Sequence, residues 1–293
     1  GRETPLHTLM NYSVSETTLN SFYQWLDNRL LTQGQAFYTN TSQYRYQPDS
    51  TLGTGYVAYA APIKSFVWDS GVPGATVATT VSGSFGVLSR GQSGMMIDYV
   101  NGRVILPASF GTNASISGSY SFKELNVYYA NQSQEQMVFT NKYYLNSRFN
   151  RTAAANTPPP YTMVTPCIFI TNSVVENKPW AFGGVYETEF HITLNVMAEN
   201  LSQLEGVLSI LEDSKKAYFP QLDPAAWPLN SYGDFKNGTG YSYSALVAQH
   251  GQPGNLYTIE EVKTSKVGDG VKINESIFLG ICDLTISKPR SLR

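Results

Sequence analysis

The 293 residues are 42% hydrophobic and 13% aromatic but only 14% charged, against a usual charged share of about 25%, which describes a chain with a core rather than a disordered segment. A formal net charge of −2 excludes a global basic field that would recruit nucleic acid or anionic lipid. The long uncharged stretches are full of Ser, Thr, Gly and Asn, which argues against a membrane-spanning helix, and three His with two Cys leave little material for a metal centre.

In chain order, Gly1-Arg-Glu-Thr-Pro5 carries no apolar signal run. Ser13-Val-Ser-Glu16 has the form of a capping box. Leu19, Phe22, Tyr23, Leu26 and Leu30 follow at helical spacing, and Gly34 is the natural stop. These residues predict an amphipathic helix laid on its own sheet. From about residue 54 to 140 the pattern is that of strands: 55–60, 65–69, 75–81, 119–129 and 136–140 are β-branched and aromatic, with Gly and Pro between them. Met95 to Leu106 reads as a hairpin, with Asn101-Gly102 as a type I′ turn. Short strands of this kind indicate an antiparallel sandwich or barrel.

Arg151-Thr-Ala-Ala-Ala-Asn-Thr-Pro-Pro-Pro160 interrupts the strands, because three prolines neither continue a helix nor donate within a ladder. The expected organisation is a helix plus β-rich domain over 1–150, a connector at 151–160 and a smaller α+β domain over 161–293. In that second part Met163–Ile170 reads as a buried strand. Tyr186, Thr188, Phe190, Ile192, Leu194 and Val196 alternate with Glu187, Glu189, His191, Thr193 and Asn195, which predicts a strand with one buried and one wet face. Asn200 and Gln203 form a second capping box, before a stripe of Leu201, Leu204, Val207, Leu208 and Leu211. An irregular stretch runs from Pro220 to about Tyr241, and Ile277–Ile286 reads as a closing strand. The fold class is therefore mainly β or α+β.

Little of this carries chemistry. Cys167 and Cys282 sit in apolar strand-like runs and are expected to be free and buried. His7, His191 and His250 lie far apart, and Gly91-Gln-Ser93-Gly94 lacks the second glycine of a nucleophile elbow, since residue 95 is Met. Val267-Gly-Asp269-Gly-Val271 has one acid only, too few for calcium. Glu187 and Glu189 share a strand face, the ordinary pattern of an exposed acidic face. Asn-x-Ser/Thr occurs at Asn11, Asn40, Asn113, Asn131, Asn150, Asn200, Asn237 and Asn274, as composition alone would generate, and Asn200 is better used as a helix cap. Tyrosine runs at 44–46, 128–129, 143–144 and 241–243 suit interfaces or carbohydrate platforms. Residues 287–293 form a small basic tail. The expectation is no enzyme, no catalytic residue, no metal and no cofactor.

One segment resembles a known group of proteins. From Pro166 to Asp213 run an Ile168-Phe-Ile170 strand, Pro179-Trp-Ala-Phe-Gly183-Gly184, the long alternating strand, and Ala198-Glu-Asn-Leu-Ser-Gln-Leu-Glu-Gly-Val-Leu208. This resembles the tail terminator and head–tail connector proteins of the tailed-bacteriophage neck, whose small α+β domain packs a helix on an antiparallel sheet. Met96-Ile-Asp-Tyr-Val-Asn-Gly-Arg-Val-Ile105 is similar in character to β-rich phage structural proteins. The resemblance implies a virion protein assembled in the host cytoplasm as a hexameric or dodecameric ring. It also implies portal, tail-tube or sheath neighbours, DNA passing through the lumen with at most non-specific contact, and no membrane. Trp180, Gly183 and Gly184 are the candidate residues of a special loop. The alternative is a carbohydrate- or receptor-binding β protein of a virion or cell surface.

Overall fold

The computed structural model describes residues 14–130, 136, 144–146, 159–181, 185–236, 238, 240–270 and 277–291. It opens with helix α1 (Val14–Thr32), on which Phe22, Leu26 and Leu30 are almost wholly buried. Ser13 of the expected capping box lies outside the described residues. The helix stops as expected at Gly34, where a Cβ would sit 2.6 Å from the Leu30 carbonyl oxygen; the left-handed residue of the turn is the next one, Gln35 (φ 47°). The expected amphipathic pattern is incomplete, because Thr17, Thr18, Asn20, Ser21, Gln24 and Asp27 are buried as well. The helix packs chiefly on strands of the second sheet and reaches the first through the Asp27–Lys123 pair.

The first sheet holds β1 (Phe37–Gln47), β2 (Tyr56–Ala60), β3 (Thr80–Gly83), β4 (Gly86–Ser89), β5 (Met96–Asp98), β6 (Arg103–Pro107) and β7 (Ile116–Lys123), in the order β4-β3-β7-β1-β2-β6-β5 and antiparallel throughout. β1 pairs with β7 along residues 37–44 and with β2 along 45–47, so one strand joins the two halves of a curled sheet. The expected hairpin is β5–β6. Its turn is not type I′: Asp98 pairs with Arg103, which leaves a four-residue loop in which Gly102 (φ 63°), not Asn101, is left-handed. Asp98 causes this, since its carboxylate accepts from the backbone N–H of Asn101 (3.0 Å) and from the Asn101 side chain (2.8 Å). Residues 65–69 are not a regular strand; Phe66 and Val67 are buried but bond the Tyr99 and Ser121 carbonyls singly, from a turn with Ser65 at φ 62°. Of the expected strand at 75–81, only its end belongs to β3.

β8 (Asn126–Tyr129) follows β7 directly and enters the second sheet. That sheet adds β11 (Cys167–Ala181), β12 (Val185–Ala198), β13 (Tyr218–Pro220), β14 (Leu256–Lys266) and β15 (Phe278–Ser291), in the order β13-β14-β15-β12-β11-β8. Every pairing is antiparallel except β8 with β11. A two-residue parallel pair, β9 (Tyr144–Leu145) with β10 (Val164–Thr165), lies between. Helix α2 (Leu201–Glu212) is capped as expected: Asn200 Oδ1 accepts from Gln203 N–H at 2.8 Å, and Gln203 Oε1 accepts from Glu199 N–H at 3.0 Å. Its Leu204, Val207, Leu208 and Leu211 pack on β12, β14 and β15, while Leu201 is exposed. Gly280 of β15 lets α2 come close, since a Cβ there would lie 2.8 Å from Leu204 Cδ1. Helix α3 (Tyr243–His250) and β14 were not legible in the sequence; β14 pairs Glu261 and Lys263 with Thr285 and Asp283 over a bulge, so its polar residues mask a strand period.

Phe22, Leu26 and Leu30 of α1, Tyr120 and Phe122 of β7, Ile168, Ile170, Phe190, Ile192, Leu194 and Val196 of the second sheet, and the α2 stripe belong to one continuous core. Cys167, Phe169, Met197, Ile277 and Leu279 form a smaller cluster. The chain is mainly β, α+β in arrangement. Among the described residues no helix is long and apolar enough to cross a membrane. Residues 137–140, 151–158 and 271–276, which include an expected strand, most of the proline-rich connector and part of the Asp269 turn, lie outside the described residues.

Phe22 is fully buried, 5.5 Å from the Trp25 ring and 5.9 Å from Phe219. Phe22→Ala is expected to destabilise the protein by about 3–5 kcal/mol, read as a lower urea midpoint with unchanged slope.

Candidate functional site

Three places gather polar chemistry. The first lies where α1 meets β7. Lys123, the last residue of β7, is buried, and its ammonium donates to both oxygens of Asp27 at 2.6 and 2.7 Å. The same nitrogen stands 3.3 Å from the centroid of the Trp68 ring, a cation–π contact away from water. Burial raises the Asp27 carboxyl although Lys123 pulls it down, and burial lowers the Lys123 amine although Asp27 pulls it up. At the next residue, Asn28 donates to Asp69 at 2.8 Å; Asp69 in turn accepts from the N–H of Gly71 and from the N–H of Tyr243 in α3.

Beside this pair is a cavity of about 210 Å³ lined by Tyr23, Trp68, Tyr128, Tyr129 and Trp227, together with Lys123. Tyr23 stacks on Tyr129 (5.1 Å) and meets Trp227 edge-on (5.3 Å). Aromatic faces with a few polar groups suit a planar or sugar-like guest. The one cation is already committed to Asp27.

The second place is a buried arginine. Arg103 of β6 is 1% exposed and donates to Asp98 (2.8 Å), Asp49 (2.7 Å) and the Tyr161 hydroxyl (2.8 Å), with its guanidinium 5.1 Å from the Tyr161 ring. Asn101 accepts from the Tyr161 backbone N–H at 2.8 Å, and Lys64 donates to the carbonyls of Pro159 and Thr162. This clasp holds residues 159–162 against the hairpin. Burial pushes the Asp49 carboxyl up, but hydrogen bonds from Thr51, Arg103 and Tyr161 outweigh it and hold it down to about 2.

The third place is the exposed face of the second sheet. β11 and β12 are paired so that Glu176 stands opposite Glu189 and Lys178 opposite Glu187, with His191 two residues beyond Glu189 on the same face. The Glu176, Glu189 and His191 ligand atoms all lie within 4.8 Å of one another. Residue numbers 176, 189 and 191 form no metal-binding spacing, so only strand register brings them together.

Trp180 lies within β11 rather than in a loop, at a register shift between Pro179 and Ala181; Gly183 and Gly184 lie outside the described residues. Cys167 and Cys282 are free and buried, as expected, and burial raises both thiols, that of Cys282 to about 12. Ser93 occupies a left-handed turn (φ 50°). His250 ends α3 and His7 lies outside the described residues. Lys288 of β15 donates to Gln221, sits 5.0 Å from the Tyr257 ring, and is lowered to about 8 by burial.

No protein-family model matches this chain, and no curated protein matches it.

Asp27→Asn leaves the Lys123 ammonium buried against a neutral partner and is expected to cost about 3–5 kcal/mol; adding Lys123→Met recovers most of that loss, both read from denaturant midpoints. Asp49 gives a pH signature. A carboxyl depressed in the folded state stabilises the fold above its unfolded value near ~3.9, and that stabilisation disappears as pH falls toward 2. Asp49→Asn is expected to lower stability at pH 7 and to flatten the decline between about pH 4 and 2.

Proposed function

We propose that this chain is a structural subunit of a tailed-bacteriophage virion neck, a tail terminator or head–tail connector that closes with copies of itself into a ring around the DNA path. The observation that carries the reading is the outer half of β11. Val174 and Val175 are successive strand residues, so their side chains point to opposite faces, and they are 47% and 42% exposed. Residues 174–179 are all exposed, so this length of strand has no packed layer on either face. β8 pairs only with Cys167–Ile170, and among the described residues no strand pairs with 171–181 on the side away from β12. An open strand edge that also presents valines is a template for another chain, which a lone protein avoids and an assembling subunit uses. The Pro166–Asp213 segment that resembles neck proteins contains this strand, its partner β12 and helix α2.

The aromatic cavity favours a second reading, a carbohydrate- or receptor-binding module, because stacked Tyr and Trp faces are what sugar rings pack against.

Light-scattering mass and negative-stain images of one chromatographic peak separate the two. The neck reading expects a mass several times that of one chain, closed rings, and a shift toward monomer in Val174→Lys/Val175→Lys, which charges the edge. A monomer at every concentration that is retained on a glycan array would overturn it in favour of the second.

A further inference from the structure

The exposed face of β11 and β12 is built against ordinary electrostatics. Like charges directly opposite on neighbouring strands destabilise a sheet, yet Glu176 faces Glu189, and Glu187 is the next residue along the same face. The one cation among them, Lys178, reaches Glu189 at 2.5 Å and Glu176 at 3.8 Å. Its side chain is half exposed, where such a pair contributes little.

His191 completes the set. It shares the face with Glu189, and the Thr285 hydroxyl of β15 stands 3.4 Å from its Nδ1, a neighbour of the kind that orients a ligating imidazole. Carboxylate and imidazole are both ligand types that zinc takes, and three protein ligands leave it a coordination position to spare. Imidazole disfavours magnesium and calcium, which prefer all-oxygen shells. Ligand atoms of a tetrahedral zinc ion are about 3.4 Å apart, given bond lengths near 2.1 Å. The three atoms here start within 4.8 Å, and Glu176 is exposed. All three residues stand on paired strands, which hold a site better than loops do.

We propose that Glu176, Glu189 and His191 form a surface site for a divalent transition-metal ion of the zinc type, which displaces the Lys178 ammonium from the two carboxylates. This inference does not depend on ring assembly, since all three ligands come from one chain.

Zinc chloride titrated calorimetrically into the purified full chain tests it. The expected result is saturable binding with about one ion per chain, and far weaker binding of magnesium chloride. His191→Ala and Glu189→Gln are each expected to weaken zinc binding by about tenfold or more. Lys178→Met is expected to tighten it, because a competing cation is removed; a patch that is only a surface ion-pair network would show no such gain. Circular dichroism of each variant verifies that the sheet is intact. Absence of saturable zinc binding, or binding that survives His191→Ala unchanged, overturns the proposal.

Discussion

The structure depends on the burial of the polar side of α1. A helix enclosed on nearly every side must find a hydrogen-bond partner for each buried polar side chain, since an unmet one costs about 1–3 kcal/mol. The partners come from distant parts of the chain. Ser21 accepts from the Leu222 N–H and Thr18 bonds the Tyr257 hydroxyl on the second-sheet side, while Asp27 takes Lys123 and Asn28 takes Asp69 on the other. Gln24 accepts from Tyr241. Every one of these bonds spans at least 41 residues of sequence, so α1 locks the two sheets in one arrangement.

The low charge count of the chain takes on a meaning in this light. Arg103, Lys123, Lys64, Asp98, Asp27 and Asp69 are all buried, so part of a small supply of charge is spent inside the fold. Ion pairs of this kind add little net stability over a well-packed apolar group, but losing one partner is costly, which gives each pair a strong say in geometry. Arg103 fixes the approach of residues 159–162 to the hairpin, and Lys123 fixes β7 against α1. Among the described residues, the large apolar side chains left exposed are mostly Tyr and Val.

The second sheet divides its work along its length. Near α1 and α2 its strands have one face in the core, and Phe190, Ile192, Leu194 and Val196 carry that packing. Farther out, β11 leaves the shelter of the helices and β8, and both of its faces open to solvent. Its register there is kept by β12 alone, so this strand has an edge free for another chain, and acidic residues and His191 are grouped on one face.

Local pattern was enough for whatever depends on near neighbours. The α1 apolar spacing and Gly34 stop, the Asn200 cap, the β12 alternation and the buried free cysteines are set by helix period, strand period and capping chemistry, all of which act within a few residues. The Asn101-Gly102 hairpin was legible, but not its turn, because the Asp98 carboxylate, held by Arg103, captures Asn101 and lengthens the loop. β14 and α3 were not legible, since a bulged, polar strand and an eight-residue helix carry almost no periodic signal. The buried polar face of α1, the Lys123–Asp27 pair under the aromatic cavity, and the grouping of Glu176 with Glu189 and His191 were decided by tertiary structure alone. Each joins residues through long-range packing or strand register, and no local propensity encodes which distant segment will arrive.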